Sequence, residues 1–165
     1  MGAFAFYEDD TSKLKVKVKK LVDNAVIPTR GSLGAAGYDL YASYIEGMAI
    51  GDNNDFVIRA HDHVTIGTGI AMEIPEGYVG LVYVRSGLGI KQGLIPRNAV
   101  GVIDSDYRGE IKVCLLNTSE DDVNIKMGER VAQIVLTPYL EVAMVETNEL
   151  NDTERGDGGF GSTGK

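Results

Sequence analysis

The chain has 165 residues, 44% of them hydrophobic, and carries 24 acidic against 16 basic side chains for a formal net charge of -8. That is the size of one domain with a core of its own, and the acidic balance argues against nucleic acid as a direct partner, because a duplex binder presents a basic face. A single cysteine, Cys114, excludes an intrachain disulfide framework and fits a reducing compartment, and there is no long apolar run to suggest a membrane span. The opening Met1-Gly2-Ala3-Phe4-Ala5-Phe6 lacks the basic and apolar regions of a secretory signal and has Phe6 where myristoylation wants Ser or Thr. Intracellular residence, cytoplasmic or nuclear, is therefore expected.

Two-residue alternation dominates and helical periodicity is nearly absent. Residues 13–19 alternate Lys with Leu or Val, which reads as a charged edge strand that resists aggregation rather than as a nucleic-acid patch. Asp39, in Ala36-Gly37-Tyr38-Asp39-Leu40-Tyr41, sits mid-strand among apolar neighbours, where an acid needs a partner, a metal or a site. Further strands are expected over 56–59, 63–66, 70–74, 79–84, 110–116, 123–125 and 130–138, separated by turns such as Pro75-Glu76-Gly77 and Gly51-Asp52-Asn53-Asn54. One glycine-rich helix is expected over 85–92. The pattern is that of an all-β sandwich or jelly roll, with one domain over 1–150 and a Gly-rich arm over 151–165.

Several constellations could carry chemistry. In Gly101-Val102-Ile103-Asp104-Ser105-Asp106-Tyr107-Arg108-Gly109 an apolar strand end delivers two aspartates into a hairpin. A carboxylate there can hold a water as general base or support a hydrated Mg2+, and Asp and Gly also build turns for backbone reasons alone. Arg85-Ser86-Gly87 and Arg130-Val131-Ala132-Gln133 place long polar donors beside small or apolar residues, suited to phosphate or to an ordinary ion pair. His61 and His63 would share one strand face, but without cysteines or a carboxylate cluster zinc is disfavoured. Cys114 lies in the apolar run Val113-Cys114-Leu115-Leu116 and reads as core. No Ser/His/Asp or Cys/His set suggests covalent catalysis.

The last eleven residues, from Arg155 to the terminal Lys165, hold five glycines, Ser162 and Thr163, two cations and Phe160. Glycines let backbone N–H groups turn toward a phosphate, hydroxyls and a guanidinium add donors, and an aromatic ring offers a face for a base. The spacing of Gly159, Gly164 and Lys165 opens a P-loop pattern without its Ser/Thr, and Gly156, Gly158 and Gly161 fit a dinucleotide fingerprint without the flanking strand and helix. By itself such a tail reads more readily as a frayed Gly-rich terminus than as a nucleotide wrap, and the rest of the chain decides.

Taken in order, these pieces resemble the trimeric dUTP pyrophosphatase (dUTPase) family, whose five motifs spread along nearly the whole chain. The first resembles 36–42, the second Arg85-Ser86-Gly87-Leu88, the third 98–110, the fourth Gly128-Glu129-Arg130-Val131-Ala132-Gln133 and the fifth the tail over 155–164. The resemblance implies a distorted jelly-roll subunit of the β-clip kind, a homotrimer with a swapped C-terminal arm, and hydrolysis of dUTP to dUMP and pyrophosphate. That reaction keeps uracil out of DNA and supplies dUMP for dTMP synthesis. Each site would take motifs one, two and four from one subunit, motif three from a second, and the tail of the third.

By the same resemblance Asp104 is the catalytic base for a water attacking the α-phosphorus. Arg85, Ser86, Gly87 and Gln133 bind phosphates, and Arg155, Gly161, Ser162 and Thr163 join them when the tail closes. Asn98 and the backbone of Gly101, Val102 and Ile103 read uracil, Tyr107 packs beneath deoxyribose, and Phe160 stacks on the base. Mg2+ is held chiefly by the triphosphate and water, with Asp39 supporting it through water. Val84 stands where the family has proline and Gly89 where alanine is common, and the stretch over 44–56 is longer than usual, read as a surface insertion. The rival readings are a dCTP deaminase relative, disfavoured because Cys114 stands where that family carries a glutamate, and a non-catalytic nucleotide-sensing protein.

Overall fold

The computed structural model describes residues 14–159 apart from 48, 49 and 52. Phe160, Gly161, Ser162 and Thr163 of the tail, and the Lys13 start of the first expected strand, lie outside the described residues. The first strands are β1 (Lys17–Lys20), β2 (Thr29–Arg30), β3 (Tyr38–Tyr41), β4 (Tyr44–Ile45), β5 (Asp55–Ile58), β6 (His63–Gly67), β7 (Ile70–Glu73) and β8 (Tyr78–Val84). A short helix α1 (Ser86–Gln92) precedes β9 (Leu94–Pro96), β10 (Gly101–Ile103), β11 (Lys112–Asn117), β12 (Val123–Lys126) and β13 (Arg130–Pro138).

All pairings are antiparallel. A five-stranded sheet runs β10-β8-β13-β3-β2, a four-stranded sheet β4-β6-β11-β9, and two ribbons, β1-β7 and β12-β5, complete a distorted jelly roll. Alternation decides which face is buried. Val82, Ile134 and Leu40 from the first sheet and Ile66, Val113, Leu115 and Leu94 from the second belong to one apolar cluster. The expected lysine-rich edge is β1: Val16 and Val18 pack against the core while Lys17 reaches Glu73 at 3.0 Å. The turn before β8 closes with Tyr78 N–H to Pro75 O at 3.2 Å and puts Gly77 at φ 80°, a conformation glycine adopts without a Cβ clash. Among the described residues no helix is long and apolar enough to cross a membrane.

Three expectations are corrected. Cys114 is not core: on β11 Val113 and Leu115 point inward, and Cys114, one step off in the alternation, is half-buried on the opposite face. His61 and His63 do not share a strand face. His61 sits in the turn before β6 at φ 62°, 3.1 Å from Glu120 Oε2, while His63 opens β6 and its Nε2 meets Arg97 Nη1 at 2.6 Å. The stretch beginning at Tyr44 does not start as loop, because Tyr44 and Ile45 form β4 against Gly67 and Ile66.

Where β11 ends, a single amide closes the sandwich. Asn117 is fully buried, and its Nδ2 donates to Ile58 O at 3.1 Å and Asp121 O at 2.8 Å while Oδ1 accepts from Ser119 N at 3.0 Å and Ser119 Oγ at 2.7 Å. Asn117→Ala leaves these groups unmatched in a dry site and should cost about 3 kcal/mol, read as a lowered urea midpoint at unchanged m-value.

Candidate functional site

Two groups of polar side chains emerge from this scaffold, at opposite ends of β8. At its C-terminal end the strand runs into Arg85, which keeps an extended conformation and caps α1. Leu88 buries the helix, leaving Ser86 and Gly87 exposed at its start. Asp39 on β3 is only 8% exposed at its side chain and takes both neighbouring guanidiniums: Arg85 Nε lies 2.8 Å from Oδ1 and Arg130 Nη1 3.2 Å from Oδ2. One carboxylate against two guanidiniums leaves a net positive charge of one, suited to an anionic ligand. Gln133 stands opposite Asp39 in the β13–β3 register and donates from Nε2 to Val84 O at 3.3 Å. Its amide lies across Gly37, where any Cβ would collide with it.

The second group is carried by the segment from β9 to β11. Asn98 lies in a turn closed by Ala99 N–H to Pro96 O at 2.8 Å, with Ala99 at φ 63°. Among the described residues β10 pairs with β8 and with no second strand, so it is an edge strand with one side of its backbone outside any ladder. Asn98, Gly101, Val102 and Ile103 line a concavity of about 370 Å³ that Cys114 also borders. Val102, Ile103, Asp104, Tyr107, Glu110 and Lys112 line an adjacent one of about 300 Å³.

Asp104 is exposed and its carboxylate is free of hydrogen bonds and ion pairs to described residues. The tyrosine beside it is fixed: Tyr107 N–H bonds Asp104 O at 3.2 Å, its hydroxyl donates to Glu110 O at 3.0 Å, and its ring lies against Gly109, where a Cβ would not fit. Asp106 shares a hollow with Asp104, Val102 and Tyr139 and also borders a charged one with Lys17, Glu73 and Arg108.

The two groups do not meet within one chain. Antiparallel pairing sets Gly101 opposite Val82 and Ile103 opposite Gly80, which brings Asp104 level with Val79. From Val79 to Arg85 the strand covers about 20 Å at ~3.3 Å per residue. No single phosphate-sized anion can touch both Arg85 and Asp104 of the same chain.

The described residues fit a metal only in a limited sense. No group of three or more His, Cys, Asp or Glu side chains among them could cage an ion, and both Asp39 oxygens already carry guanidiniums. Arg155 is exposed and folded on its own turn, its Nε 2.8 Å from Gly158 O; it meets neither group. Sequence reasoning placed Arg130 beside Gln133 as a donor, but its pairing with Asp39 spans 91 positions and has no local signal. Glu110 and Tyr44, 66 positions apart, are joined by a short hydrogen bond that the sequence does not reveal.

Asp39→Ala strips the counter-charge from both guanidiniums. Because Arg85 and Arg130 are 31% and 47% exposed at their side chains, solvent screens the loss to about 1–2 kcal/mol. Asp39→Asn, which keeps the acceptor oxygen, should cost less, and denaturant unfolding of the two variants checks the order.

A family model described as dUTPase matches residues 23–164. The chain is 47% identical over 151 residues to the deoxyuridine 5'-triphosphate nucleotidohydrolase of Hydrogenobaculum sp., covering 92% of this chain and 99% of that one. It is 47% identical over 147 residues to the enzyme of that name from Paramecium bursaria Chlorella virus 1, covering 89% and 96%. Among solved structures, the Staphylococcus bacteriophage 80alpha dUTPase with dUPNHPP superposes at a TM-score of 0.79 with 28% identity, covering 93% of this chain and all of that one. By the extent of these matches and the order of its motifs, the chain belongs to the dUTPase family.

Proposed function

We propose that the protein hydrolyses dUTP to dUMP and pyrophosphate as a homotrimer whose active sites are each shared between subunits. The observation that carries the shared site is the length of β8: it holds Arg85 and Asp104 of one chain about 20 Å apart, whereas one triphosphate has to meet both kinds of group at once. A neighbouring copy supplies the missing half. Arg85, Ser86, Gly87 and Gln133 of one subunit bind the phosphates, and Asp104 of the next faces the α-phosphorus.

Asp104 orients a water and takes its proton as the water attacks, the exposed carboxylate being free of partners among the described residues. A bound Mg2+, held by triphosphate oxygens and water, would supply charge neutralisation at the leaving pyrophosphate. Arg85, Arg130 and Gln133 orient the chain of phosphates, so the rate enhancement rests on positioning and charge rather than on a covalent intermediate. The free edge of β10, with Asn98, reads the polar rim of uracil, and a hairpin this tight leaves no space for a 5-methyl group. Tyr107, fixed against Gly109, packs beneath deoxyribose where a 2'-hydroxyl would collide.

The arm over 151–165 closes on a neighbour, bringing Arg155, Gly161, Ser162 and Thr163 to the phosphates and Phe160 to the base. What supports an arm directed outward is the segment leading to it. After Tyr139 N–H meets Gly77 O, Leu140, Met144, Val145 and Leu150 are all more than 80% exposed, an apolar row suited to a partner's surface.

Pyrophosphate release measured side by side with dUTP, dTTP, dCTP and UTP tests reaction and selectivity together. Turnover is expected for dUTP, with the other three at least ~100-fold lower in kcat/KM, and ammonia from dCTP would instead place the chain with the deaminases. Asp104→Asn should lower kcat by roughly 10²–10⁴ with nucleotide affinity nearly unchanged, and unaltered turnover would remove the base assignment. Deleting 155–165 should leave the trimer intact by sedimentation while kcat/KM falls by at least ~100-fold; a fully active truncated enzyme contradicts the closing arm.

A further inference from the structure

The geometry points to Glu110 and Tyr44 as paired positioning residues that hold Tyr107 in place and thereby set the preference for deoxyribose over ribose; this rests on the reading above that Tyr107 lies beneath the sugar. Tyr107 is tethered by its hydroxyl to the Glu110 carbonyl at 3.0 Å. A tether is only as firm as its anchor, and residue 110 is anchored on three sides. Its Oε1 accepts the Gly69 N–H at 2.8 Å, its Oε2 accepts the Tyr44 hydroxyl in a short hydrogen bond, and the next residue bonds Ile70 O through Ile111 N–H at 2.9 Å.

Tyr44 is itself locked. It pairs with Gly67 across β4 and β6, and its ring occupies the space a Cβ at position 67 would need. The Tyr44 proton is held above its ordinary pKa, first by the bond to Glu110 and then by burial, so the link persists through neutral and mildly alkaline pH. The pair thus fastens the base of the Asp104–Tyr107 hairpin to the four-stranded sheet. Tyr44 and Glu110 lie on opposite sides of β6 and β7 in the chain order, and neither needs to touch substrate to act.

The consequence concerns selectivity more than chemistry. A 2'-hydroxyl is excluded only while the tyrosine ring stays close beneath the sugar, so loosening the anchor admits ribose before it harms the water attack. The test uses the full-length protein and three variants, with kcat and KM for dUTP and UTP and a melting temperature for each. Glu110→Ala and Tyr44→Phe should lower the dUTP-over-UTP ratio of kcat/KM by roughly tenfold, through a higher KM for dUTP and faster UTP turnover. Glu110→Gln, whose amide can still accept from Gly69 and bond Tyr44, should stay near the wild-type ratio.

A uniform drop for both nucleotides, with the ratio unchanged, would overturn the inference and mark the pair as structural only. If Glu110→Ala does not fold, Tyr44→Phe decides alone, since it keeps the ring on Gly67 and removes only the hydroxyl. Failure of the wild-type protein to prefer dUTP is a separate result: it removes the functional reading itself, and the positioning role falls with it.

Discussion

The pairing of β8 with β10 on one side and β13 on the other is the constraint on which the site depends. β8 is paired along its whole length on the β13 side, from Tyr78↔Pro138 to Val84↔Ala132, and over Gly80 to Val82 on the β10 side. Gly80 makes that pairing tight: a Cβ there would meet Ile134 and Ile74 at 2.8 and 2.9 Å. A strand held on both edges cannot shorten or bend enough to bring its ends together. The distance between the Arg85 and Asp104 groups is therefore a property of the fold.

Each group stands on buried polar joints that are satisfied. Among the described residues no buried side-chain nitrogen or oxygen lacks a partner, and the joints connect segments far apart in sequence. Asn24 Nδ2 donates to Ser43 O at 2.7 Å, Ser43 Oγ to Thr68 O at 2.8 Å, and Thr68 Oγ1 to Ile111 O at 2.5 Å. These bonds pin the β6–β7 turn to the base of the Asp104 hairpin. At the other end Asp39 ties β3 to Arg85 beyond β8 and Arg130 at the start of β13. Removing one partner of the buried Ser43–Thr68–Ile111 bonds leaves the other with the full cost of desolvation, whereas at Asp39 solvent on the two guanidiniums screens part of the loss. The joints therefore specify position in a way that apolar contacts, which tolerate sliding, do not.

Most of the sheet structure was legible because alternation is a local signal. Residues 130–138 were read as a strand at their observed limits, and 79–84 missed β8 by one residue. The helix expected over 85–92 forms as Ser86–Gln92 despite its glycines, because burying Leu88 and a left-handed Gly93 cap outweigh the propensity cost. β2, β4 and β9 carried no comparable signal: two or three residues show no period, and their partners in the sheets make them strands. Cys114 was misread because a run of apolar residues hides the alternation within it; only the β6–β11 register tells which side chain turns outward. The motif residues of the site could be named from their order, but the ion pairs and hydrogen bonds that hold them join positions 39 and 130, or 44 and 110, and no spacing rule reaches that far.

The segment between the last strand and the tail limits how assembly and closure can be divided. Fully burying Leu140, Met144, Val145 and Leu150 is worth roughly 1.5–3 kcal/mol each, while association costs about 4–15 kcal/mol in lost freedom. In the proposed trimer the apolar row alone would give only marginal adhesion, so larger surfaces of the sheets would have to take part. These residues precede Arg155, whose guanidinium and glycine-rich sequel contain little apolar area beyond Phe160. On the proposed reading, adhesion would belong to the residues before the tail and ligand contact to the tail itself. A segment that binds through hydrogen bonds to phosphate gains little when phosphate is absent, so in the proposed assembly closure would follow the nucleotide.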